Sequence, residues 1–252
     1  LQRYSALLAI AFLNHKQSPI KSNCQKALNS RNIINMKKSQ ISPSILAADF
    51  ANLGKEVNDV LAAGAGPIHF DVMDHVFVPN LSFGAPIAQS LRKAGVTAEI
   101  DAHLMVVEPE NFVDEFAKAG TNMLIFHPNA TKDVDATIDK ILAAGMKAGL
   151  AYNPDKPVDA TPEQLKKLSL ILIMSVHAGF GGQKFMPESL DKIKSTRALL
   201  DQHNPECKIG VDGGVNADTI AGVASAGADL FIVGSGLFAA DDYAKRMDEL
   251  TA

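Results

Sequence analysis

Five times in this chain an alanine-glycine pair closes a helix-like stretch and an apolar run follows: Ala63-Gly64, Ala94-Gly95, Ala119-Gly120, Ala144-Gly145 and Ala226-Gly227. Glycine just past a helix takes the left-handed conformation that other residues resist, so each pair reads as a helix end. The runs that follow are short and apolar, as buried strands are. The first four glycines lie 31, 25 and 25 residues apart. A strand, a helix and their loops fit that length, and such units in series build a parallel sheet.

Strands are expected at 42–46, 68–72, 97–104, 123–126, 147–151, 170–176, 207–211 and 230–233. Helices fit near 52–63, 86–94, 109–119, 132–144, 161–167, 187–202, 216–226 and 241–250. Eight such pairs in the 212 residues of 41–252 predict an α/β fold, a single (β/α)8 TIM barrel near the small end of its size range. A doubly wound open sheet is the alternative. It wants a glycine-rich fingerprint after an early strand, and Ser44-Ile45-Leu46-Ala47-Ala48 has none.

Residues 1–40 differ from the rest. They hold seven basic residues (Arg3, Lys16, Lys21, Lys26, Arg31, Lys37 and Lys38) and no acid. An organellar transit peptide shares that composition; an extension upstream of a start at Met36 is the favoured reading. Either way the segment is expected to be a disordered extension outside the barrel. Removing those seven from the 24 Lys and Arg leaves 17 against 28 acids, a balance of −11 over residues 41–252. An acidic body argues against a nucleic-acid partner and for holding a phosphate through backbone N–H groups. No apolar run reaches 18 residues, so no membrane span is expected. Cys24 and Cys207 are the only cysteines, which fits a reducing, cytoplasmic setting.

In a barrel the C-terminal strand ends share one face. The stretch Ile68-His69-Phe70-Asp71 projects an imidazole and a carboxylate from one side of a strand, because side chains two apart point the same way. His103 and Asp212 close two other strands. Singly, each reads best as a satisfied core histidine or a capping aspartate. Together, two His and two Asp make a ligand set for one divalent metal ion: Zn²⁺, Fe²⁺, Mn²⁺ or Co²⁺. Glycine clusters follow the last three strands at Gly179-Phe180-Gly181-Gly182, Gly213-Gly214 and Gly234-Ser235-Gly236, where such barrels bind phosphate. A metal can polarise a ketone and stabilise an enediolate. Carboxylates can then remove and return the neighbouring proton. With Asp71 and Asp212 on opposite faces of that intermediate, the outcome is epimerisation.

The stretch 41–246 resembles the ribulose-phosphate 3-epimerase family, which implies a TIM barrel of the ribulose-phosphate-binding type. The resemblance rests on Ser42-Pro43-Ser44-Ile45-Leu46-Ala47-Ala48-Asp49-Phe50, on Ile68-His69-Phe70-Asp71-Val72-Met73-Asp74 with Phe77-Val78-Pro79-Asn80-Leu81, on His103-Leu104-Met105-Val106, on Gly179-Phe180-Gly181-Gly182-Gln183-Lys184-Phe185 and on Val211-Asp212-Gly213-Gly214-Val215. It implies interconversion of D-ribulose 5-phosphate and D-xylulose 5-phosphate in the pentose phosphate pathway. By the same resemblance His69, Asp71, His103 and Asp212 hold the metal, and Asp71 and Asp212 are the acid/base pair. Ser44 and His103 touch the substrate, Gly179, Phe180, Gly181, Gly182, Gly213, Gly214, Gly234 and Ser235 bind it largely at the phosphate, and Met73, Met105 and Met174 cap the enediolate. A small phosphorylated ketose and further copies of the chain are the expected partners.

Three positions depart from the family pattern. His177-Ala178 replaces Asn-Pro, which is expected to loosen the phosphate loop. His75-Val76 follows Asp74, and Gly210 stands where an acidic residue is usual. None is a proposed ligand. An orotidine-phosphate-type decarboxylase wants a lysine where Asp101-Ala102-His103 has histidine. A hexulose-6-phosphate 3-epimerase shares the same site chemistry. A catalytically impaired phosphate-binding barrel would have lost a ligand, and none is lost.

Overall fold

A computed structural model of the chain describes residues 40–252. The expectation for residues 1–40 therefore lies outside the described residues, apart from Gln40, which opens the first strand. The strands are β1 (Gln40–Pro43), β2 (Ile68–Met73), β3 (Ile100–Met105), β4 (Met123–Phe126), β5 (Lys147–Tyr152), β6 (Leu170–Met174), β7 (Lys208–Asp212) and β8 (Leu230–Val233). The α-helices are α1 (Leu53–Ala62), α2 (Ala85–Lys93), α3 (Val113–Lys118), α4 (Val134–Ala143), α5 (Pro162–Lys167), α6 (Ser189–His203), α7 (Ile220–Ser225), α8 (Ser235–Phe238) and α9 (Tyr243–Thr251). The sheet runs β1-β8-β7-β6-β5-β4-β3-β2, every pair parallel, and a bridge between Ser44 and His69 joins β1 to β2. The ring is thus a (β/α)8 barrel.

Local chemistry explains the elements. All five Ala-Gly glycines have positive φ, between 81° and 112°. Thr161 and Gln164 form a reciprocal capping box at the start of α5, with Pro162 at the first helical position. Asp133 caps α4 by accepting from Ala136 N. Along β6, Leu170, Leu172 and Met174 pack inside the barrel with Ile125, Ala151, Leu230 and Ile232. Ile171 and Ile173 alternate outward into the larger core. Gly210 on β7 belongs to that inner layer: a Cβ there would stand 3.0 Å from Leu172 Cδ1 and 3.5 Å from Ile232 Cδ1. Aliphatic side chains crowd the position where the family pattern led us to expect an acid.

Several boundaries differ from expectation. β1 ends at Pro43, because the chain turns into a short 3-10 helix at Ile45–Ala47. β3 starts at Ile100, not 97: Arg92 draws Val96 O and Ala98 O to its guanidinium at 2.8 and 2.6 Å, away from the ladder. The helix expected at 109–119 is split into a 3-10 turn, Pro109–Phe112, and α3. The helix expected from 216 starts at Ile220. The short helix α8 was not foreseen. No helix among the described residues is long and apolar enough to cross a membrane.

Candidate active site

The site is built on the register between β2 and β3. His69 lies opposite Asp101, Asp71 opposite His103, and Met73 opposite Met105. Alternation carries all six to the same side of their strands. Asp101 Oδ1 takes His69 Nδ1 in a very short hydrogen bond. His69 Nε2 is left buried without a hydrogen-bond partner, 3.4 Å from Asp71 Oδ1. His103 Nδ1 lies 3.2 Å from the same oxygen, while its Nε2 meets His127 Nε2 at 2.9 Å. Ser44 Oγ donates to the other oxygen, Asp71 Oδ2, at 2.5 Å.

These contacts test whether the residues suit a metal. With its Nδ1 proton on Asp101, His69 presents a lone pair on Nε2. With its Nε2 proton on His127, His103 presents a lone pair on Nδ1. Both lone pairs then face a carboxylate oxygen, an arrangement that repels unless a proton or a metal cation lies between them. One ligand atom from each of His69, Asp71, His103 and Asp212 lies within 4.8 Å of the others. The four residues could hold one ion.

The electrostatics separate the two acids. Burial would raise the Asp71 pKa, but the charge of His69 and the hydrogen bond of His103 outweigh it and hold Asp71 well below the usual carboxylate range. Asp212 is pushed up to about 7 by burial and then by the charge of Asp71. Burial opposes protonation of His69, yet Asp101 and Asp71 together hold its pKa well above the ordinary value. Burial lowers the pKa of His103, and lowers that of His127 strongly.

Asp212 ends β7 and is fixed through its backbone: Ser175 N and Oγ donate to Asp212 O at 2.7 and 2.9 Å. The two glycines after it cannot carry a side chain. Gly213 has φ +113°, and a Cβ there would come 2.4 Å from Val176 Cγ2. At Gly214, φ +65°, it would come 2.3 Å from Phe185 N. A cavity of about 1130 Å³ opens beside them. Ser44, Asp71, Met73, Met105, Met174, Gly179, Phe180, Gly181, Gly182, Asp212, Gly213, Gly214, Gly234 and Ser235 all line it. His69 and His103 are fully buried and do not line it. Gly234 is the N-cap of α8, whose first N–H groups have no partner within the helix.

The loop after β6 gains a backbone bond at the position where proline is missing. Ala178 N donates to Asn153 Oδ1 at 3.2 Å, a bond proline could not make. Lys192 in turn anchors Asn153 O at 2.6 Å. His75 occupies left-handed backbone, φ +61°, a conformation that Gly and Asn adopt more readily. Sequence reasoning gave no role to Asp101, Ser175, Asn80 or Asn153. Asp101 was findable: it lies two residues before His103, on the same strand face. The others become visible only once loops from different strands are brought together.

The chain matches the Ribulose-phosphate 3 epimerase family over residues 40–238. It is 49% identical over 210 residues to "Ribulose-phosphate 3-epimerase" of Serratia marcescens, covering 83% of this chain and 100% of that protein. It is 47% identical over 215 residues to the protein of the same name from Escherichia coli (strain K12), covering 85% and 96%. Among solved structures, a mutant tryptophan synthase alpha-subunit from Pyrococcus furiosus superimposes with a TM-score of 0.62 at 16% identity, covering 84% of this chain and 97% of that one. The last likeness speaks for the barrel alone. The sequence matches, over the same strands that carry the His and Asp cluster, show that the chain belongs to the ribulose-phosphate 3-epimerase family.

Proposed function

We propose that the chain interconverts D-ribulose 5-phosphate and D-xylulose 5-phosphate, with Asp71 and Asp212 as the two acid/base groups. The observation that carries this reading is the meeting of carboxylates from β2 and β7 with His69 and His103 in one group spanning 4.8 Å. A divalent ion held by these four residues would polarise the ketose carbonyl and so make the C3 proton easier to remove. Zn²⁺, Fe²⁺, Mn²⁺ and Co²⁺ all suit two imidazoles and two carboxylates. Asp71, held ionised, accepts the C3 proton of one epimer. Asp212 exchanges a proton with the other face of the intermediate. In the reverse direction the roles exchange.

Ser44 orients Asp71 through Oδ2 and reaches the substrate from the edge of the cavity. Met73, Met105 and Met174 form a polarisable apolar wall that keeps water from the planar intermediate. The segments 179–182, 213–214 and 234–235 hold the phosphate through backbone groups, as an acidic body requires. The chain also associates with copies of itself. Phe50, Val76, Leu81 and Val107 are exposed apolar residues on neighbouring loops, tied together by Asp74, which accepts from both Val76 N and Val107 N, and by the edge-to-face contact of Phe50 with Phe83. The buried free thiol of Cys207 suits the cytoplasm.

The direct test is turnover of D-ribulose 5-phosphate by purified protein, before and after metal removal and with each of the four ions restored. Activity lost on chelation and recovered with one of them is the expected result. A higher kcat/KM for a hexulose 6-phosphate would replace the pentulose reading, and no turnover of either would overturn both.

A further inference from the structure

The loops after β2 and β6 leave the barrel on opposite sides, since four strand steps separate these strands in either direction around the ring. They nevertheless meet. Asn80 Nδ2 donates to Gly179 O at 2.7 Å. Beside this bond Val78 lies so close to Gly179 that a Cβ there would stand 3.2 Å from Val78 Cβ. Val78 also packs on Met73 and Met105, and Asn80 and Gly179 both line the cavity. The junction therefore crosses the mouth of the barrel over the methionine layer.

Each loop is stiffened separately. On the β2 side, Asp74 Oδ1 accepts from Val76 N and Phe77 N at 2.8 Å each, and His75 N donates to Asn80 O at 2.8 Å. On the β6 side, Gln183 Nε2 donates to His177 O and Phe180 O, both at 2.8 Å. Between two braced loops, the Asn80 amide is the polar link. A neutral hydrogen bond of this kind biases an equilibrium by about three- to tenfold, enough to favour closure and little enough to release at each turnover.

We propose that Asn80 is a positioning residue that latches the β6 loop over the bound phosphorylated ketose, and that release of this latch is the opening step for substrate entry and product exit. The proposal rests on reading the segment 179–182 as part of the phosphate site. It assigns Asn80 no chemistry; it acts through Gly179 and the loop that Gly179 begins.

Asn80→Asp isolates the latch. It keeps the oxygen that accepts from Leu81 N at 2.9 Å but replaces the donor facing Gly179 O with an acceptor. Lys184 is exposed within the loop, so trypsin cleavage after it reports opening. In the metal-loaded enzyme, Asn80→Asp is expected to be cleaved there about three- to tenfold faster and to raise KM by a similar factor. The kcat stays level or rises, and the melting temperature is unchanged. Asn80→Gln keeps a donor and should fall between the two. Asn80→Ser, too short to reach Gly179, is read in the same way if the Asp variant does not fold. Cleavage at the wild-type rate in variants that lack the donor would overturn the latch. Faster cleavage with unchanged KM and unchanged inhibition by inorganic phosphate would leave the latch standing but overturn its service to substrate, because the loop would not be the phosphate site.

Discussion

Asp101 stands directly across from His69 in the β2–β3 register and binds its Nδ1, leaving Nε2 as the imidazole atom that faces Asp71. This makes Asp101 the outer partner of a ligand histidine, the group that fixes tautomer and ring angle. Asp101→Asn keeps the size but can offer an N–H where an acceptor is needed. Metal affinity is expected to fall about 10- to 100-fold, measured by competition with a chelator. His127→Ala removes the matching partner of His103 Nε2 and is expected to act in the same direction. Unchanged affinity in both would mean that the histidines are oriented by strand packing alone.

A backbone prediction concerns Gly213. Alanine there meets Val176 Cγ2 at 2.4 Å and Val176 N at 2.9 Å, at a φ of +113° that alanine resists. Gly213→Ala should cost about 2–4 kcal/mol of stability and weaken inhibition by inorganic phosphate. Gly222 is the control: it lies within α7, with nothing within 4 Å of a Cβ. Gly222→Ala should stabilise by about 0.5–1 kcal/mol. Thermal unfolding of the two proteins checks both signs.

The barrel was legible because its signals are local. A glycine after five of the helices and a short apolar run before the next turn depend only on neighbouring residues. The ligand set was legible because alternation on one strand places His69 beside Asp71 with no knowledge of the rest. The short helix α8 was missed because four residues give no helical period. The Ala178–Asn153 and Asn80–Gly179 bonds were missed because each joins loops more than 20 residues apart, 25 and 99 respectively. The loosening expected at His177-Ala178 rests on the missing proline alone; the N–H that proline lacks bonds to Asn153, a contact those two residues do not reveal by themselves.

The pH behaviour follows from Asp212. Its pKa of about 7 in the folded protein exceeds the ordinary 3.8, so between about pH 4 and 7 the folded chain keeps a proton that the unfolded chain has released. Asp212 therefore contributes a stability to the chelator-stripped protein that falls as pH rises through that window. His69, held well above 6.5, adds a loss of the same sign at higher pH. Asp71, held well below its ordinary value, contributes stability that is lost only on the acid side of the window. Bound metal opposes the trend, since it requires the ionised carboxylate and binds more tightly as pH rises. Melting temperatures at about pH 5 and about pH 7, with and without saturating metal, separate the two. His103 and His127, held below 6.5, contribute the opposite slope over the same window, so the share of Asp212 is read as the difference in slope between the stripped protein and stripped Asp212→Asn; equal slopes would refute the raised Asp212 pKa.

The two-acid assignment makes the sharpest demand. Asp71 and Asp212 come from strands on different sides of the ring, and each stands beside a different neighbour: Asp71 beside His103, Asp212 beside Met174. They can therefore serve opposite faces of one substrate. Asparagine at either position keeps the shape and removes proton transfer, which typically costs about 10²–10⁴-fold in rate. Weakened metal binding would add to the loss, so metal content has to be measured in each variant. The informative readout is exchange of the C3 proton with D₂O. Asp212→Asn should still exchange that proton in the epimer whose C3 hydrogen faces Asp71, while net epimerisation stops. Asp71→Asn should do the same for the other epimer. A metal-loaded single variant that epimerised near the normal rate would remove its aspartate from the pair. The missing acid would then be sought at another strand end, with His127 and His177 the first to replace.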